Sequence, residues 1–215
     1  SMKPCINFIL SKARPKVKAM LRLKDMYSIH EMLNFFKSHI WSFIEYHNGV
    51  IIMAAPAQVQ RLDKLQRWFL HELGLSDTQA FVDHNFAPLS LRRSIGLLGF
   101  LHKRVLNVCH PLIRSLLPFE SVLPGSPWHS RQLACEWQNV RCWRMLYDRS
   151  LYMYVLLYNR LPQVFIDLQT VSAFQAKLTH EVKQQAAAGH DHWRDIFKDC
   201  GKLTDHFFRI GYNNV

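Results

Sequence analysis

Asn85-Phe-Ala-Pro-Leu-Ser-Leu-Arg-Arg-Ser-Ile-Gly-Leu-Leu-Gly-Phe-Leu-His-Lys-Arg-Val-Leu106 combines an apolar helical face with four basic side chains. Pro88 and Ser90 introduce the helix, which the periodicity predicts over about residues 90–107. Arg92 and Arg93 stand in its first turn, and Lys103 and Arg104 in its last. Gly96 and Gly99 lie about one turn apart, so a second helix or a nucleic-acid backbone can approach closely. Guanidinium forks bind phosphate oxygens bidentately, and a lysine adds a mobile point charge. The four cations are therefore candidate phosphate contacts.

Upstream the reading is also helical. Ile6, Ile9, Leu10, Ala13, Val17, Met20 and Leu21 recur near helical spacing, and Lys12, Arg14, Lys16, Lys18, Arg22 and Lys24 supply the other face. Pro15 should kink or split this helix. Ser28-Ile-His-Glu31 is a capping box opening a helix through about Tyr46, with Gly49 as its stop. Pro56 starts a helix to about Leu73, which Gly74 ends. A second capping box, Ser76-Asp-Thr-Gln79, opens a short helix to about His84.

Downstream, Pro111 begins a short helix ending before Pro118. Pro118, Pro124, Gly125, Ser126 and Pro127 mark residues 118–132 as a linker. Residues 133–148 lack a helical period, and a short β-hairpin is allowed there. A helix around 150–160 ends at Leu161-Pro162, and Thr170 or Ser172 caps another through about Ala188, closed by Gly189. A polar, aromatic tail follows. The organisation expected is a helical domain at 1–117, a linker at 118–132 and a smaller helical part at 133–215.

The formal net charge is +11 and 49% of residues are hydrophobic, so the chain reads as a basic globule rather than a disordered tail. Such a balance points to a polyanion, nucleic acid ahead of an acidic membrane surface. Between Lys3 and Lys24 there are seven Lys or Arg, and the nearest acid is Asp25. A solvated helix face normally mixes signs, whereas a phosphate-binding face does not. The longest apolar run, Leu151 to Tyr158, is about half a membrane span. The first residues lack a secretory-signal pattern, and Ser1 ahead of Met2 reads as a remnant of tag cleavage. Five irregularly spaced cysteines fit free thiols in a reducing compartment, nuclear or cytoplasmic.

Catalytic and metal motifs are not legible. The acids are scattered without an adjacent Asp pair, and no nucleophile elbow or phosphate-binding Gly-rich loop occurs. The densest metal-ligating group is His190-Asp-His192 with Cys200 and His206 beyond, and its spacing matches no zinc motif. Cys135 and Cys142 do not match one either. No cofactor is expected. Trp68, Trp128, Trp137, Trp143 and Trp193 read as core or interface, with base stacking open only to those left exposed.

Several phrases then line up in order. They are Lys12-Ala-Arg-Pro-Lys-Val-Lys-Ala-Met-Leu-Arg22, Phe35-Phe-Lys-Ser-His-Ile-Trp-Ser-Phe-Ile-Glu-Tyr46, Leu62-Asp-Lys-Leu-Gln-Arg67 and Leu89 to Leu106. Tyr158-Asn-Arg-Leu-Pro162 follows, with Val171-Ser-Ala-Phe174 and Leu178. Together they resemble the segment downstream of the palm in reverse transcriptases of non-LTR retrotransposons. Each phrase is weak alone, and the set in order covers nearly the whole chain.

That family's chemistry needs palm aspartates in a Tyr/Phe-Ala-Asp-Asp turn, which this sequence lacks. The resemblance therefore implies the thumb and post-thumb region of an RNA-directed DNA polymerase, without fingers or palm. The fold expected is mainly α, a thumb-like helical bundle and a smaller helical C-terminal part. The function expected is non-catalytic binding of RNA, an RNA–DNA hybrid or DNA through phosphates. Lys12, Arg14, Lys16, Lys18, Arg22, Lys24, Arg92, Arg93, Lys103 and Arg104 are the candidate contacts. The alternative is a protein-interaction module that forms homo-oligomers through apolar helix faces.

Overall fold

A computed structural model describes residues 2–121, 129–134 and 150–197. The protein is mainly helical. β pairing among the described residues is limited to one isolated antiparallel bridge, Phe119 with Leu133. The chain divides into two compact units, Ser1–Arg93 and Ser94–Val215. The division falls inside the central helix rather than in the expected linker at 118–132. Two hydrogen bonds join the described ends of that segment. Glu120 N–H donates to the Gln132 carbonyl at 2.9 Å and Ala134 N–H to the Pro118 carbonyl at 2.8 Å, so its two ends are tied together.

The first unit is built on α1 (Lys3–Leu21), which buries Ile6, Ile9, Leu10, Ala13 and Val17. Pro15 neither ends nor splits it. Proline removes one ladder bond, and here it does so on the exposed side of the helix, away from the five packed residues that hold it. The second helical stretch is α2 (Ile29–Phe36), a π-helical turn (Lys37–Trp41) and α3 (Ser42–Glu45). Its capping box is formed: Ser28 Oγ accepts from the Glu31 amide, and Glu31 accepts from the Ser28 amide at 2.8 Å. The Ser28 hydroxyl, donating to Glu31 Oε2 at 2.7 Å, and then the Ser28 amide hold the Glu31 carboxyl below its ordinary range.

Gly49 does not stop this stretch. It lies within the short α4 (Asn48–Ile51), after the helix has already ended. α5 (Pro56–Glu72) follows, with Gly74 beyond it at φ +70°. α6 (Asp77–His84) opens on the second capping box and closes on Asn85 in the left-handed region at φ 51°. One apolar core joins these elements through Met32, Phe36, Ile40, Leu62, Phe69 and Phe86.

α7 (Leu89–Val105) carries the quoted stretch and contributes to both units. In the second unit it is followed by α8 (Pro111–Leu116), α9 (Leu151–Asn159), a one-turn α10 (Gln163–Ile166) and α11 (Val171–Ala187). Thr170 is the cap of α11, accepting from the Ala173 amide at 3.1 Å. Gly189 follows at φ +78°, and Asp191–Asp195 form a 3-10 turn. Tyr158, Phe165, Phe174, Leu178 and Val182 are fully buried here. The hairpin allowed at 133–148 lies mostly outside the described residues, and its one described strand residue, Leu133, pairs back to Phe119 instead.

Candidate nucleic-acid interface

Burial of one face of α1 fixes where its charges go. Lys12, Arg14, Lys16 and Lys18 are all exposed, as are Arg22, which caps the helix, and Lys24 in the turn beyond. Arg14, Lys18 and Arg22 succeed one another at four-residue steps, about 6 Å apart along the axis. Lys12 and Lys16 form a parallel row on the opposite flank of Pro15. Among the described residues none of these six cations joins an acid. Lys16 Nζ rests 5.6 Å from the Phe43 ring and Lys12 Nζ 5.9 Å from that of Phe8, and both residues stay exposed. α5 adds exposed Lys64 and Arg67 in the same unit.

The arginines of α7 are placed differently. Arg93 is buried and donates to Asp63 Oδ1 at 2.7 Å. Arg92 is half-buried, forked onto both oxygens of Glu45, and its guanidinium lies 3.9 Å from the centre of the Trp41 ring. Arg104 is buried, donates to the Leu117 carbonyl at 2.8 Å and to Asn107 Oδ1 at 3.1 Å, and covers the Phe119 ring. A buried guanidinium requires partners of this kind; Arg93 Nη1 is buried without one. Lys103 alone of the four is exposed.

Residues from the separate quoted phrases hold one another. Glu45 and Trp41 of the second phrase meet Arg92 of the fourth. Asp63 of the third meets Arg93. Gln66, also of the third, accepts from Trp41 Nε1 at 3.2 Å and donates to the Ala87 carbonyl at 3.0 Å.

The second unit has its own buried polar chain. His102 Nε2 lies 2.8 Å from the Leu168 carbonyl, which can only accept, so this nitrogen carries the proton. Nδ1 then accepts from the Tyr158 hydroxyl at 2.9 Å, and the imidazole stacks on Phe174 at 4.2 Å. Burial pushes the His102 pKa down and the Tyr158 pKa up. His129 Nε2 donates to the Tyr158 carbonyl at 3.1 Å, while its Nδ1 accepts from the Arg131 amide at 3.1 Å. Burial pushes its pKa down to about 4. Asn159 clamps Leu133 from both sides, accepting from its N–H at 2.9 Å and donating to its carbonyl at 2.8 Å.

These groups are structural: each is saturated by the protein. Gly99 is packed as well, since a Cβ there would meet the Gln175 side-chain amide. Beside this chain a cleft of about 490 Å³ opens between Phe119, Arg131, Asn107 and Gln169.

Among the described residues no three His, Cys, Asp or Glu side chains are grouped as metal ligands. His190 and His192 are exposed, whereas Cys200 and His206 lie outside the described residues. Cys135 and Cys142 lie outside them too, as do Trp128, Trp137 and Trp143. Trp193 is buried, and half-buried Trp68 donates to Glu72 at 3.2 Å. No described helix is long and apolar enough to cross a membrane. The chain matches no protein-family model, no curated protein and no solved structure.

Sequence reading missed Lys64 and Arg67, whose four- and seven-residue steps from Gln60 mark an exposed stripe. It also missed the Phe119–Arg131 cleft, whose residues are dispersed along the chain.

Proposed function

We propose that the protein binds nucleic acid through phosphates on the exposed face of α1, without catalysis of its own. The observation that carries this reading is the set Lys12, Arg14, Lys16, Lys18, Arg22 and Lys24. All six are exposed and none is ion-paired among the described residues. A one-sided cationic face releases condensed counterions when phosphates replace them, which drives association. Lys64, Arg67 and Lys103 are further exposed cations, while Arg92, Arg93 and Arg104 shape the scaffold.

The resemblance to the thumb and post-thumb region of non-LTR retrotransposon reverse transcriptases gives the reading its context. The resemblance rests on the order of the phrases in the sequence. In that context the helix would grip an RNA–DNA hybrid by backbone and shape rather than by base identity.

The test is fluorescence anisotropy with an RNA–DNA hybrid, duplex DNA and single strands. A variant with Lys12, Arg14, Lys16 and Lys18 changed to Gln should weaken hybrid binding at least tenfold at moderate salt. Equal affinity of variant and parent would overturn the reading. A second reading, self-association, is favoured by Val108, Leu112 and Leu116, which are 59%, 66% and 64% exposed. Light scattering of the chain with and without nucleic acid separates the two.

A further inference from the structure

The cleft of the second unit has features that the phosphate reading does not use. Phe119 is 43% exposed, although its backbone is fixed by the bridge to Leu133. One face of its ring is covered by the Arg104 guanidinium, 4.3 Å from the ring centre. Arg104 is only 5% exposed and is itself held by Leu117 and Asn107. Phe119 lines the cleft, whereas Arg104, on which its ring rests, does not. Asn107, in the left-handed region at φ 59°, also lines the cleft. Ser130 and Gln169 add polar edges.

Charge narrows the choice of ligand. Among the described residues no acidic side chain lines the cleft. Arg131 lines it, is exposed, and joins no acid among the described residues. The volume, about 490 Å³, is that of a small-molecule site. A planar group with an attached anion satisfies the ring and the arginine together. A lone anion would leave the ring unused, and an apolar group would leave Arg131 without a counter-charge.

We propose that this cleft seats an unpaired nucleobase of a single strand, stacked on the free face of Phe119, with the adjoining phosphate on Arg131. The proposal rests on the nucleic-acid reading and adds to it the form of strand recognised. Stacking is open to every base, so the cleft selects unpaired over paired nucleotides rather than one sequence over another.

The experiment uses the full chain, a single-stranded 12-mer containing 2-aminopurine, and a duplex of the same sequence. Phe119→Ala should weaken single-strand binding about fivefold or more, the lower end of what one base–aromatic stack contributes. Duplex affinity should stay within about twofold. Phe119→Trp, which keeps an aromatic face, should retain single-strand binding. Arg131→Gln should weaken it and reduce its salt dependence by about one phosphate. The parent should quench 2-aminopurine, and Phe119→Ala should not. Single-strand affinity and quenching unchanged in Phe119→Ala would overturn this proposal alone, leaving duplex binding by α1 standing. No binding of either form by the parent would sink the phosphate reading and this proposal with it.

Discussion

Lowering the pH from 7 to 5 should destabilise the second unit through His129. The residue is 3% exposed, and both ring nitrogens are committed to the neutral form. Nε2 donates to the Tyr158 carbonyl and Nδ1 accepts from the Arg131 amide, so a proton on Nδ1 would face another N–H. Burial brings the pKa down to about 4 in the fold, against 6.5 for the free side chain. The unfolded chain then binds more protons than the native one between these values, and stability rises with pH. The contribution is complete above 6.5, fades as pH falls through the window, and is exhausted below about 4. At pH 5 an unfolded histidine is almost fully charged, whereas folded His129 is about one-tenth charged. The difference is about 2 kcal/mol at that pH. His102, lowered by burial too, acts with the same sign. Hydrogen exchange of α9 amides, corrected for intrinsic rates, reads the local free energy. His129→Gln should remove about 2 kcal/mol of the difference between pH 7 and pH 5. A variant that keeps the parent's full pH dependence would refute the assignment, as would an NMR titration placing the His129 pKa near 6.5.

Replacing Arg93 by Met should leave Asp63 without its partner in a part-buried site and lower the stability of the first unit by about 3 kcal/mol in urea titration. The same change should not alter the salt slope of nucleic-acid binding at temperatures where the fold is retained. Asn159→Ala leaves the buried N–H and C=O of Leu133 unpaired, at roughly 1–3 kcal/mol for each group, and should expose Phe119–Leu133 amides to exchange. Ser28→Ala removes the acceptor for the Glu31 amide and should cost about 1 kcal/mol, seen as faster exchange confined to the first turn of α2.

Local chemistry was the part most legible in the sequence. Both capping boxes, the Thr170 cap and the glycines at 74 and 189 act within a few residues of themselves, so spacing alone located them. The π turn at Lys37–Trp41 was not legible, because the same apolar positions serve an α-helix and a helix widened by one residue. Pro15 misled in the other direction, since five buried residues of α1 outweigh one lost hydrogen bond on its solvent side. For the site, α1 was readable because its charges and its core face lie on one helix. The α7 arginines were not, because their fate depends on Glu45 and Asp63, 47 and 30 residues away in sequence. A guanidinium beside an apolar run looks the same whether it meets a phosphate or a carboxylate. The cleft draws on residues from Val105 to Gln169, and no local pattern links them.

The salt dependence of RNA–DNA hybrid binding, measured for the parent and for the α1 variant with four cations neutralised, tests the central claim most directly. Each phosphate contact contributes about −0.9 to the slope of log K against log salt. If α1 is the phosphate-binding face, the parent slope should be steep, and the variant should be shallower by about 3 to 4. Equal slopes, with the fold intact by circular dichroism, would contradict it and transfer the partner of α1 from nucleic acid to protein.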